Sequence, residues 1–259
     1  MSNFFMLVHN ENTKIYRRMR TWVMIGILIF MSIIIPYLFS GNGRGETISF
    51  WEGAMITVSF VSFLNTIFAV VIAAESVAGE FSWGTIKLLL IRPWTRSKIL
   101  FSKYISVLLF SILSTLVMIL LALGASYVFM SSSVQPELAP TDISPASYAL
   151  VSWVYEYVDL FITIAIAFMV STVFRSGALA IGLSLFMLFT QGIFAVIFNP
   201  ERYAWAKYIL FTNMDLGQYM YGGGTGGMSL GFSLIVLAVY YVLFMGIAWY
   251  VFNKRDVAA

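Results

Sequence analysis

Cysteine is absent from the 259 residues, and histidine occurs once, at His9. The first absence excludes a disulfide framework and a thiolate metal site, and leaves the redox compartment undetermined. The second excludes a histidine-based metal or acid–base centre within the apolar part of the chain. Charge is scarce too: 10% of residues are Asp, Glu, Lys or Arg, against about 25% in an ordinary soluble domain. GxSxG, HExxH and the phosphate-binding loop do not occur, so no motif for ATP or peptide hydrolysis is present. Two glycine-rich runs do not fill that gap. GNGRGE (41–46) neither follows a strand nor opens a soluble helix, and GGGTGG (222–227) lacks the Lys-Ser/Thr that a phosphate loop requires. Both read as turns.

What the chain has instead is apolar bulk, with 60% hydrophobic and 17% aromatic residues. Runs of about 18 residues or more can cross a hydrocarbon core roughly 30 Å thick, because a helix rises about 1.5 Å per residue. Six such runs occur, near 22–39, 54–74, 104–130, 148–174, 178–198 and 230–252. They are continuously apolar rather than alternating, which favours helices over a β-barrel. The expected fold is an all-α polytopic membrane protein with six transmembrane helices. Placing the N-terminus in the cytoplasm puts twelve of the fifteen Lys and Arg inside and leaves only Arg44, Arg202 and Lys207 outside. That bias predicts two cytoplasmic termini, and lipid headgroups rather than nucleic acid as the partner of the basic excess. About 20 residues precede the first run and no convincing small-x-small site follows Phe39, so the first span is expected to stay in the mature protein.

The segment before the first span places Phe4, Val8, Ile15, Met19 and Trp22 near one face, with Lys14, Arg17 and Arg18 away from it. This predicts an interfacial helix over 1–21 whose cations reach phosphates. The loop 40–53 is glycine-rich, with Phe50 and Trp51 as interface anchors, and 131–147 carries three prolines and reads as extended. Segment 199–229 is too aromatic for a solvated loop and predicts short helices dipping into the outer leaflet.

Two amides and two acids fall inside the apolar runs. Asn65 and Gln191 read as interhelical hydrogen-bonding groups. Glu156 and Asp159 are three apart, on one helical face. One reading makes them a proton or cation site, or the wet wall of a substrate cavity. The other, preferred because Glu156 lies about two turns from the helix start, puts both in the outer third, hydrated or paired with polar loop atoms.

The connection after the second span is the largest with a cytoplasmic assignment. Trp83, Ile86 and Leu90 share one face, Leu88 and Leu89 lie elsewhere, and Lys87 is the one charge between 81 and 91. Apolar residues exposed in such a connection predict burial against a partner protein. Pro93 should end a short helix near Leu90 or Ile91, and Thr95 or Ser97 should cap the next.

Glu80, Gly84, Thr85, Ile86, Lys87, Leu88, Leu89, Leu90, Arg92, Pro93, Thr95, Arg96, Ser97 and Lys98, with Lys103 beyond, resemble the permease subunits of type-2 ABC exporters. The closing VFNKRDV (Phe252, Lys254, Arg255, Asp256) resembles that family's C-terminal end, while Trp94 departs from the small residue expected after Pro93. The resemblance covers the layout of the whole chain and is specific at 80–103. It implies one ABC-type transmembrane domain over 1–259, with an elbow helix at 1–21, a coupling connection at 75–103 and a re-entrant segment at 199–229. It further implies a second permease copy or a homologous permease, and two separate ATP-binding subunits that carry the ATP and Mg. No cofactor is expected in this chain, and the chain is not expected to be an enzyme. The implied docking residues are Glu80, Trp83, Gly84, Thr85, Ile86, Lys87, Leu90 and Arg92. The expected function is a permease of the bacterial plasma membrane, exporting an apolar or amphipathic molecule such as an antimicrobial peptide or lipid-like compound. The alternatives are a stand-alone ion-coupled transporter or channel built on Glu156 and Asp159, and a non-transporting peptide sensor or immunity protein.

Overall fold

The computed structural model describes residues 2–40, 48–85, 94–130 and 143–254. Its helices are α1 (Ser2–Tyr16), α2 (Met19–Ser40), α3 (Phe50–Ser82), α4 (Arg96–Phe129), α5 (Pro145–Val173), α6 (Gly177–Ile197), α7 (Leu210–Met214) and α8 (Leu230–Lys254). Short 3₁₀ turns flank α7 at Ala204–Tyr208, Leu216–Tyr221 and Thr225–Gly227. Helices α2 to α6 and α8 are each long and apolar enough to cross a membrane.

Serine and threonine set where most of these helices start. The side chains of Ser49, Thr95, Ser144 and Ser176 each accept a backbone N–H three residues on, at the beginnings of α3, α4, α5 and α6. Ser229 does the same for α8 through Phe232. Each satisfies one of the backbone donors that a helix N-terminus leaves free. Thr95, not Ser97, is the cap of α4. Pro145 occupies the first turn of α5, where its missing N–H costs nothing, so 145–147 are helical rather than extended.

Two boundaries differ from expectation at the N-terminus. α1 stops at Tyr16, and the carbonyls of Ile15 and Tyr16 are taken up by the Thr21 hydroxyl (2.6 Å) and the Trp22 indole N–H (2.8 Å). Met19 and Trp22 therefore belong to α2 and are exposed, while the buried face of α1 is Leu7, Val8 and Glu11. A 3.6-residue periodicity carried across 17–18 hid that turn.

Consecutive spans run antiparallel. α1, the ends of α3 and α8, the start of α4 and the α5–α6 turn therefore share one end of the bundle. The interior belongs to α5: 61% of its most apolar window is buried, against 44% and 39% for α3 and α4 and 17% for α2, α6 and α8. The outer three present apolar faces to their surroundings, as helices facing lipid do. Where α3 approaches its neighbours it is built from Ala69, Ala73, Ala74, Ala78 and Gly79, all buried, which is how membrane helices reach van der Waals contact without a hydrophobic driving force. At the start of α6, a Cβ on Gly177 would stand 4.0 Å from the Gly79 backbone, in ordinary van der Waals contact. Ser82 locks that approach by accepting the Gly177 N–H at 2.9 Å and donating to the Arg175 carbonyl at 3.3 Å.

The segment 199–229 is a chain of short helical turns held against α5, α6 and α8. Asn213, fully buried, donates to the carbonyls of Lys207 (2.8 Å) and Ile209 (2.7 Å) and accepts from Ser233 of α8 (2.7 Å). The Ser233 hydroxyl also meets the Tyr219 phenol at 2.6 Å. One asparagine thus closes the backbone of the segment and fastens it to α8.

Candidate functional site

The last turns of α3 are anchored by charge. Lys14 of α1 bonds Glu11 (2.7 Å) and Glu80 (2.9 Å), and Lys103 of α4 bonds the same two carboxylates at 2.7 and 3.0 Å. The result is a closed ring of two cations and two anions tying α1, α3 and α4 together. Lys103 is 3% exposed, a position an ammonium occupies only when its charge is matched. Burial pushes the Glu11 carboxyl up, but Lys103 and Lys14 outweigh it and hold Glu11 below the ordinary carboxylate range. Burial pushes the Lys14 ammonium down, and Glu11 with Glu80 outweighs that and holds it above the ordinary range. One helical turn away, Glu75 receives Arg18 at 2.8 Å and also Arg20. Lys14 and Arg18, expected at phosphates, thus pair with carboxylates of the chain itself, and Arg20 does the same.

Beyond this ring α3 ends abruptly. The Trp83 N–H bonds the Gly79 carbonyl at 2.9 Å, and Gly84 follows at φ +68°, the left-handed conformation that closes a helix and that glycine adopts at little cost. Thr85 turns its hydroxyl back onto the Glu80 side chain. Trp83 is left 78% exposed at the tip. Of the implied docking residues, Glu80 belongs to the ionic ring, Gly84 and Thr85 to the helix stop, and Trp83 to the free surface. Ile86, Lys87, Leu90 and Arg92, and the short helix expected to end near Leu90 or Ile91, lie outside the described residues. Trp94, on the far side of that interval, packs against the core and has the Lys98 ammonium 6.0 Å from its ring centre.

The two stretches that carry the family resemblance meet. Arg96 donates to the Asn253 carbonyl (3.1 Å), Ser97 to the Asn253 side chain (3.4 Å), and the Trp249 indole to Ser97 (2.9 Å). The start of α4 is thereby clasped to the end of α8.

Farther along the bundle, α3, α5, α6 and the α7 region line an open cavity of about 540 Å³. α5 contributes Tyr155, Glu156 and Asp159, and α3 contributes Phe63 with the hydroxyls of Ser59, Ser62 and Thr66. Leu188 and Gln191 of α6 face them, and Phe211, Met214 and Asp215 close the outer side. Asp159 is the fifteenth of the 29 residues of α5, its midpoint, because the helix starts at Pro145 rather than Tyr148. Neither acid is paired with loop atoms by an ion pair among the described residues, and Glu156 Oε2 is buried without a hydrogen-bond partner. Asn65 lies apart, donating to Thr115 of α4 at 2.9 Å. Asp215 was not anticipated from the sequence. It sits in a segment read as aromatic, and only the fold brings it opposite a span 56 residues earlier.

Comparison with known proteins finds uncharacterized relatives, one of them named as a membrane protein. The sequence profile of DUF2705, described as a protein of unknown function, matches residues 20–258. The uncharacterized protein YhcI of Bacillus subtilis is 32% identical, with 97% of this chain and 99% of that protein covered. The uncharacterized membrane protein YdbK of the same organism is 29% identical over 94% of this chain and 99% of its own length.

Proposed function

This chain belongs to the DUF2705 family, and we propose that within it the protein is the permease subunit of an ATP-driven ABC exporter. Its ends face the cytoplasm of a bacterial cell, and the connection between α3 and α4 docks on separate ATP-binding subunits, which supply ATP and Mg. A second copy or a homologous permease completes the pathway. The chain contributes the route and the coupling, not the hydrolysis.

The observation that carries this reading is Trp83, standing 78% exposed at the tip of a helix whose last turns are fixed by four charges. A large aromatic on a rigid stalk is the kind of anchor that fills a pocket on a partner. The ring of Glu11, Lys14, Glu80 and Lys103 would pass a push on that anchor to three helices at once. The clasp between Arg96, Ser97 and Asn253 steadies the other side of the docking stretch.

Co-expression with ABC-type ATP-binding proteins of the same genome should yield a stable complex with one of them on purification. Trp83→Ala should weaken that complex by about 2 kcal/mol, roughly thirtyfold in affinity, and Lys87→Glu should uncouple ATP hydrolysis from transport. Isolation of the chain alone, with transport indifferent to ATP depletion, would overturn the proposal. That outcome would favour the second reading, an ion-coupled transporter, for which the shared cavity of Glu156 and Asp159 speaks.

A further inference from the structure

We propose that the cavity between α3, α5, α6 and the α7 region is a binding site for an organic cation, a positively charged group carried on an apolar or aromatic body. The inference rests on the permease reading only for its physiological direction, export, and deepens it by naming the charge of the cargo.

The argument begins with charge balance. Glu156, Asp159 and Asp215 face one cavity, and among the described residues no Lys or Arg lines it or pairs with any of the three. Among the described residues, the basic ones at this end of the bundle, Arg202 and Lys207, do not line the cavity, and Lys207 sits 5.2 Å from the Tyr208 ring centre. A carboxylate within the span of a membrane helix costs several kcal/mol unless a counter-charge reaches it. The fold bears that cost at Glu156 and Asp159, sets Asp215 at the open side of the same space, and leaves Glu156 Oε2 buried and unpartnered beside it.

The nature of the counter-charge follows from the rest of the wall. A divalent metal ion takes oxygen ligands at about 2.0–2.6 Å, and no group of three acids or histidines that could hold one occurs among the described residues. The cavity is also of the size that receives drug-sized molecules, for which about 300–1,000 Å³ is usual. Phe63, Tyr155 and Phe211 provide aromatic faces, which attract an ammonium or phosphonium centre and pack against its substituents. Acids for the charge and rings for the body are the complement of a lipophilic cation.

The test uses the full chain alone, in nanodiscs of zwitterionic phosphatidylcholine, with radiolabelled tetraphenylphosphonium as probe and tetraphenylborate, of like shape and opposite charge, as control. Retention on empty nanodiscs is subtracted. The expected result is saturable, one-to-one binding of the cation, no specific retention of the anion, and at least tenfold weaker cation binding in Glu156→Gln/Asp159→Asn. Should that double variant not fold, Asp215→Asn, outside the membrane helices, is read in the same way with at least a threefold loss. Equal binding of the two ions, no saturable cation binding, or unchanged affinity in a folded variant overturns the proposal. No ATP-binding subunit is present, so failure here leaves the docking proposal standing, and failure of the docking experiment leaves this one standing.

Discussion

At the scale of single residues, Lys103 shows how a membrane-edge charge is kept. Its ammonium is nearly inaccessible, and two carboxylates share it with Lys14. Lys103→Met would leave Glu11 and Glu80 facing each other across one remaining cation. Breaking a buried pair from one side costs about 3–5 kcal/mol, so the thermal midpoint of the purified protein should fall sharply, and less so for Lys103→Arg. The ring also sets a pH window. Glu11 is held below its ordinary value, so its stabilisation is complete above the unfolded pKa of about 4.3 and is lost as pH falls through the folded one. Lys14 is held above its ordinary value, so its share is complete below about 10.4 and is lost as pH rises through the folded value. Limited proteolysis at the 17–18 turn should accordingly be slow from pH 5 to 10 and quicken on the acid side below pH 4. Asn213 makes a separate case. Asn213→Ala would take from the Lys207 carbonyl its side-chain donor and cut the tie to Ser233, while the Ile209 carbonyl keeps Thr212 and the Ser233 hydroxyl keeps Tyr219, at about 1–3 kcal/mol. Amide exchange in 204–221 should speed up while the spans stay protected.

At the scale of elements, the spans were legible because each is a continuous apolar run, and a run needs no knowledge of its neighbours. The helix starts were legible in part: the sequence after Pro93 offered Thr95 and Ser97 and only the fold chose Thr95, while Ser144 and Ser176 were passed over. What the sequence concealed was the pairing of charges. Glu11 and Lys14 are local, but Glu80 and Lys103 reach them from 66 and 92 residues away, and nothing in a window of one helix reports such a meeting. For the same reason N-terminal cations read as lipid ligands turned out to be bound within the protein. The carboxylates of α5 were visible as anomalies, but their setting depended on Asp215 and on α6. Gly84 offers an element-level check. A Cβ there meets no neighbouring atom, so the penalty of Gly84→Ala comes from φ +68° alone, about 1–2 kcal/mol. The last turn of α3 should fray, and the fluorescence of Trp83 should shift accordingly.

At the scale of the whole molecule, the absence of cysteine becomes a practical asset. Arg175→Cys and Arg202→Cys place single thiols on exposed positions at opposite ends of the bundle. In intact cells a membrane-impermeant maleimide should label the second and not the first; the reverse pattern would contradict the orientation drawn from the basic residues. The same scale brings out a consequence of the length of α3. Its 33 residues make a rod of about 50 Å, some 20 Å longer than a hydrocarbon core. Ser62, in the cavity wall, and Trp83, at the tip, are 21 residues apart on that rod, about 31 Å. It works as a lever: a tilt of about 10° pivoted at Ser62 moves Trp83 by about 5 Å, and a pivot nearer the middle moves both ends in opposite directions. A displacement of the Trp83 tip and a change in the width of the cavity would then be a single degree of freedom, set by the stiffness of one helix.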